Sequence, residues 1–281
     1  MLVTSKELFA VAQKERFAIP APNFIDLDWL KWHIEVAEKL NLPVIAALAE
    51  SHLGESISLE EAAVMGKRYA EAAKVPVVLH LDHGTTPAVI KRGIDLGFSS
   101  VMIDASQCDF QANVERTKEI IDYAHPRGVV VEAEIGHVGS GENYENHELS
   151  DSIYTTVEEA RNFIEATNVD SLAISIGTAH GMYTGRPIIS FDRLKEIAAA
   201  IDIPLVLHGG SSSGDNNLKK CAQNGIAKIN IFSDFLNAAM DEINRKKPGN
   251  YLEVKSSAKT GTQNCLKHYY SVFETRTVSI N

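Results

Sequence analysis

Blocks of basic residues are missing from this chain of 281 residues: Lys and Arg number 27 against 37 Asp and Glu, for a formal net charge of −10. A nucleic-acid or anionic-membrane surface is therefore excluded as the organising feature. Any anionic ligand must be caught locally, without help from a general positive field. Cysteine is scarce too. Cys108, Cys221 and Cys265 are odd in number and lack metal-like spacing. That excludes a disulfide scaffold and makes a reducing cytoplasm the expected compartment. No stretch approaches the roughly 18 uncharged apolar residues of a membrane span, and MLVTSKELFAVAQKERFAIP has no continuous apolar core of a secretion signal. There is no low-complexity tract, and no GxGxxG follows the first apolar run, which weakens a doubly wound dinucleotide fold.

What the chain does contain is alternation. Short apolar runs predict strands at 17–24, 43–49, 76–82, 99–104, 128–135, 170–177, 203–209 and 227–233. Each is apolar on both sides of its period, as strands buried in a parallel sheet are. Between them lie amphipathic helices such as WLKWHIEVAEKL, SFDRLKEIAAAI and DNNLKKCAQNG, the last closing at Gly225. Two carry capping patterns, Ser58-x-x-Glu61 and Thr155-x-x-Glu158. Eight βα units predict a single-domain (β/α)8 TIM barrel spanning 1–281, with a polar C-terminal extension from about 248. The connection 137–156, HVGSGENYENHELSDSIYTT, is long and glycine-bearing, the composition of a lid or binding loop.

Barrel enzymes place their chemistry at the C-terminal ends of the strands. Here those ends bring Asn23, Glu50, Asp82-His83, Asp104, Glu134, His180, His208 and Asn230 through Ser233 to one rim. Three neutral imidazoles with an open fourth position make a catalytic zinc site, so His83, His180 and His208 are the candidate ligands. Any one of them alone reads sooner as a capping or packing residue. Asp104 and Glu134 are candidates either to orient those histidines or to serve as occasional metal ligands. Glu142 is either a solvated loop glutamate or a base carried in by the loop. His80 lies three residues from His83, hence on the opposite face of a regular strand, and reads as a hydrogen-bonded core residue. His33, His125, His137, His147 and His268 fall in helices or loops and read as solvated. The run Gly209-Gly210-Ser211 and the segment Asn230, Ile231, Phe232, Ser233 follow strands seven and eight, where barrels commonly hold phosphate.

LHLDHG, GTAHGMYTG, PLVLHGGSS and AKINIFSDF resemble the signature segments of class II, metal-dependent ketose-bisphosphate aldolases, the fructose-bisphosphate and tagatose-bisphosphate group. The likeness runs from about residue 5 to 245. It implies a Zn2+-dependent barrel that cleaves a ketose phosphate to dihydroxyacetone phosphate and an aldehyde through a zinc-stabilised enediolate. His83, His180 and His208 become the zinc ligands, Asp82 the acid/base at the aldehyde oxygen, and Glu142 the loop base. The resemblance also implies an alternate metal position beside Asp104 and Glu134. Gly181, Gly209, Gly210, Ser211 and Asn230 through Ser233 would hold the phosphorylated half, with room for a monovalent cation, Na+ or K+, beside it. Asn23 stands at the substrate end of strand one. A homodimer or homotetramer is implied, with a sugar phosphate as the only further partner. The aldehyde end departs from the pattern: Ala49 replaces an expected serine, and the C-terminal region lacks an expected arginine segment. That leaves a non-bisphosphate substrate, such as a sulfosugar phosphate, as the alternative. Two rivals are a Schiff-base aldolase, which needs a lysine facing the site where Lys228 is predicted near the start of its strand, and a silent barrel that only binds metal or sugar phosphate.

Overall fold

The computed structural model describes residues 1–54, 56–136, 154–179 and 187–280. Every predicted strand forms: β1 (Ile19–Pro22), β2 (Val44–Ala49), β3 (Val77–Gly84), β4 (Ser100–Ile103), β5 (Val130–Ile135), β6 (Ser171–Ile174), β7 (Leu205–Leu207) and β8 (Ile226–Ile231). They make one parallel sheet in the order β1-β8-β7-β6-β5-β4-β3-β2. Its two free ends meet through a single bridge, Asn23 to Ala47, with the Phe24 N–H donating to the Ala47 carbonyl at 2.8 Å. The expected (β/α)8 barrel is the fold.

Outside the strands lie α1 (Ser5–Glu15), α2 (Leu27–Leu40), α3 (Leu59–Ala72), α4 (Pro87–Leu96) and α5 (Phe110–Ala124). The second half adds α6 (Val157–Thr167), α7 (Phe191–Ala200), α8 (Asp215–Gln223), α9 (Ser233–Lys246) and α10 (Tyr251–Val272). Ser58 and Glu61 form the expected capping box on α3. On α6 the box is one residue later than predicted, Thr156 with Glu159. Thr155 is instead buried, its hydroxyl donating to the Ile135 carbonyl and accepting from the Ser175 N–H. Two adjacent threonines each have a glutamate three residues on, so spacing alone could not choose between them.

The polar stretch after 248 is a helix of 22 residues packed on α9 and α2. Its inward face is Ser257, Gly261, Thr262, Leu266, Tyr269 and Tyr270, too small and polar to print a strong apolar stripe. A Cβ at Gly261 would sit 2.1 Å from the Ala238 carbonyl oxygen, so glycine permits the close crossing.

The barrel interior changes character from bottom to top. At the N-terminal end Ile19, Ile45 and Val78 pack with Leu8, Phe9 and Ala12 of α1, which seal it with apolar surface. Two residues further along β3, β5 and β8 stand His80, Glu132 and Lys228, and two further still Asp82, Glu134 and Asn230. Period-two alternation sends Leu79, Leu81, Val131, Ala133, Ile229 and Ile231 into the helix layer and these polar residues inward.

Candidate active site

Alternation along β3 would turn His83 outward, away from Asp82. The residue instead adopts φ +46°, and the β3–β4 register shifts between Leu81 and Gly84. One left-handed non-glycine residue thus brings two consecutive side chains to the same rim, at a conformational cost that regular packing would not support. Gly84 contributes a close approach: a Cβ there would lie 2.5 Å from the Met102 carbonyl oxygen.

His83 Nε2 and His208 Nδ1 face each other at 2.9 Å. Their remaining nitrogens are held by carboxylates. His83 Nδ1 donates to Asp104 Oδ2 at 2.9 Å, and His208 Nε2 donates to Glu132 Oε1 at 2.9 Å. Asp104 is in turn fixed by the Ser106 N–H and hydroxyl. Asp82, His83 and His208 can each bring one ligand atom within 4.8 Å of the others, and so can His83, Asp104 and Glu134. Two imidazole nitrogens converging on one point, each ring fixed from behind by a carboxylate, suit a divalent metal with nitrogen ligands. His180, the third expected ligand, lies outside the described residues, as do Gly181, Glu142, His137 and His147.

Asp82 is buried between two amides. Asn23 Nδ2 donates to its Oδ2 and Asn230 Nδ2 to its Oδ1, both at 2.9 Å. Burial works to raise the Asp82 carboxyl, but the positive charge of His83, Lys228 and His208 outweighs it and holds the group well below the usual carboxylate range. For His83 burial works downward, while Asp82 and the Asp104 hydrogen bond push its imidazole up to about 9. The Asn230 Oδ1, also buried, has no partner among the described residues, so an acceptor faces the site unused.

The turn after β7 is laced to the end of β8. Ser211 Oγ accepts from the Phe232 N–H at 3.1 Å and from the Asp234 N–H at 3.4 Å. Ser212 donates its N–H and its hydroxyl to the Asp234 carboxylate. Gly209 has φ +66°, and a Cβ on it would meet the Ala179 carbonyl oxygen at 2.4 Å. Gly210 donates to the Asn230 carbonyl, which a Cβ would approach to 2.7 Å. The Ile231 side chain is buried in the helix layer, leaving only its backbone near the rim, while Ser233 opens α9. The Phe232 ring lies 4.5 Å from that of His52.

Four histidine readings can be compared with the structure. His80 is a core residue, its Nδ1 donating to Ser100 Oγ at 2.8 Å; burial and the adjacent Lys228 charge push it down to about 3. His125 and His268 are partly exposed and paired with Asp170 and Asp215. His33 corrects its reading. Far from solvated, it is fully buried between the Trp29 and Phe235 rings, with neither nitrogen hydrogen-bonded among the described residues and its imidazole pushed down to about 3 by burial.

Glu132 and Lys228 were missed as site residues. Lys228 sits inside the barrel, not at its lower edge, with Nζ 2.8 Å from both Glu132 oxygens and 3.1 Å from His80 Nε2. The available signal was their spacing: each precedes a rim residue, Glu134 or Asn230, by two and so shares its face.

Residues 3–277 match the sequence profile described as "Fructose-bisphosphate aldolase class-II". The chain belongs to this family. As a class II aldolase it is expected to be a lyase, and metal dependence is typical of the family. Over 244 residues the chain is 39% identical to "Uncharacterized protein YdjI" of Escherichia coli (strain K12), covering 87% of each sequence. The crystal structure of the YdjI aldolase from Escherichia coli K12 superposes with a TM-score of 0.88 at 33% identity, covering 97% of both chains. A fructose-bisphosphate aldolase from Campylobacter jejuni, at 23% identity, shares the fold with a TM-score of 0.80 over 99% of this chain and 97% of that one. Among the described residues no helix is long and apolar enough to cross a membrane.

Proposed function

We propose that this class II aldolase reversibly cleaves a ketose phosphate to dihydroxyacetone phosphate and an aldehyde, with Zn2+ held by His83, His208 and His180. The observation that carries it is the convergence of His83 Nε2 and His208 Nδ1 beside a buried Asp82 whose two oxygens are held by the Asn23 and Asn230 amides. Zinc, when bound, supplies the positive charge that offsets the negative charge developing on the carbonyl oxygen of the substrate.

In cleavage, Asp82 takes the proton from the hydroxyl on the carbon that becomes the aldehyde, and the electron pair of the breaking carbon–carbon bond moves to the dihydroxyacetone phosphate half. Asn23 and Asn230 hold the Asp82 carboxylate by one bond to each oxygen, which keeps it ionised and aimed. The Oδ1 left on Asn230 suits a substrate hydroxyl. Glu142 exchanges the proton at the carbanion carbon from its loop. Gly209, Gly210, Ser211 and the Asn230–Ser233 segment, with Gly181, receive the phosphate, and Na+ or K+ can accompany it. Asp104 and Glu134 give the metal an alternate resting place next to His83. The enzyme works as a cytoplasmic homodimer or homotetramer.

One observation favours a substrate without a second phosphate. Ala49 stands where a serine was expected, and the Glu50 carboxylate accepts from the N–H groups of Thr85 at 2.7 Å and Thr86 at 3.2 Å. Backbone donors at the start of α4 that would suit a distal anion are already used by the chain's own carboxylate. A retro-aldol assay of the zinc-restored enzyme on fructose 1,6-bisphosphate, tagatose 1,6-bisphosphate and a sulfonated ketose phosphate tests both points. Preference for either bisphosphate would refute the second; no turnover on any of the three counts for the silent barrel.

A further inference from the structure

Lys228 and Glu132 lie one layer below the rim, with Lys228 Nζ no nearer than 4.0 Å to Asp82 Oδ1 and Glu132 against His208. Both are almost completely buried, and burying an ion pair is rarely a net gain in stability, so an explanation is required. Their hydrogen bonds form a chain with a forced direction. A lysine ammonium can only donate. His80 Nε2 must therefore accept from it, which leaves the Nδ1 proton to be given to Ser100 Oγ. Glu132 receives Lys228 Nζ on both oxygens at 2.8 Å, so each oxygen serves as an acceptor. The contact of Glu132 Oε1 with His208 Nε2 at 2.9 Å then requires the proton to be on Nε2. In a neutral imidazole that leaves the lone pair on Nδ1, the atom facing His83.

We infer that the Lys228–Glu132 pair is a positioning device that fixes His208 in its Nε2–H tautomer, so that the ring meets the metal through Nδ1. The inference rests on His208 being a metal ligand. His83 is held in the opposite sense: Asp104 takes its Nδ1, and Nε2 is the atom that meets His208 Nδ1. The two rings thus offer different nitrogens to one point. His208 cannot exchange its nitrogens with solvent, because it is fully buried while Asp104 and His83 are partly exposed. Lys228 is a positioning residue, acting on the site through two intermediates.

The test uses the full-length protein with zinc alone as the probe. Long-range proton–nitrogen correlation on the zinc-loaded, 15N-histidine-labelled wild type should show His208 with its proton on Nε2 and its Nδ1 shifted by metal. A proton on Nδ1 would overturn the inference without any variant. The double variant Lys228→Met, Glu132→Gln removes both charges of the pair at nearly constant volume. With the barrel folded by circular dichroism, its zinc affinity should fall roughly 10–100-fold and the single tautomer signal should be lost. Wild-type zinc affinity in that variant would mean that the pair is only structural. A wild type that binds no zinc would instead sink the metal site itself, a different outcome from an unchanged variant.

Discussion

His83 Nε2 lies 2.9 Å from His208 Nδ1, although one residue ends β3 and the other follows β7 on the opposite side of the barrel. Two ring nitrogens at that distance need a proton on one of them, and that proton competes with the proposed metal. Replacing His208 by alanine should abolish stoichiometric zinc binding and retro-aldol activity together, measured by metal analysis and by dihydroxyacetone phosphate release. EDTA treatment of the wild type should do the same reversibly. Activity surviving complete chelation would rule out the metal-dependent reading.

That proton gives zinc binding a pH dependence with a defined sign. The His83 imidazole, raised from 6.5 to about 9 in the metal-free fold, must release its proton before Nε2 can bind zinc. Apparent zinc affinity should therefore rise by about tenfold per pH unit between pH 6.5 and 8.5 and level off above 9. For the stability of the metal-free protein the sign is reversed. The raised pKa contributes fully below pH 6.5, and the contribution is lost as pH rises through 9. Chelator-competition titrations and thermal melts of the stripped protein read the two effects separately.

Asp82→Ala should retain zinc, because both oxygens of the carboxylate are already held by the Asn23 and Asn230 amides. The variant should lose on the order of 10²–10⁴-fold in cleavage, the usual worth of a positioned acid or base. Exchange of the dihydroxyacetone phosphate proton with solvent should persist, since that step is assigned to Glu142. Loss of bound zinc from this variant would contradict the role given to Asp82.

His33 predicts an acid sensitivity outside the site. Its folded pKa of about 3 lies below the unfolded value of 6.5, so the unfolded chain takes up a proton first as pH falls. Stability drops through the window from 6.5 to 3, by about 1.4 kcal/mol per pH unit for this one group. His33→Leu should flatten the slope by one proton and cost little at neutral pH, because neither ring nitrogen is hydrogen-bonded among the described residues. Denaturant unfolding at pH 7 and pH 5 compares the two; an unchanged slope would refute the assignment.

Gly84→Ala should displace the metal ligands without touching them. The new Cβ would be 2.5 Å from the Met102 carbonyl oxygen, and β3 must retreat from β4 just where His83 turns back to the rim. Weakened zinc binding in a folded variant is the expected result, and wild-type affinity would show that the bulge tolerates the shift.

Much of this protein was determined locally. Eight apolar runs separated by amphipathic segments admit few solutions other than a parallel barrel, since each run has two apolar faces to bury and each helix one. The rim residues followed from that topology, because strands in a parallel barrel all end on the same side; Asp82, His83, His208, Asn23 and Asn230 were legible for this reason. Tertiary structure decided what depends on contacts between distant strands. Alternation assigns His83 to the wrong face, and only the register shift against β4 corrects it. Lys228 and Glu132 are 96 positions apart and acquire meaning only where β5 and β8 face each other across the barrel interior. The burial of His33 likewise depends on Phe235, which a helix from the far end of the chain brings against it. Periodicity records which face a residue occupies, but not what stands opposite that face.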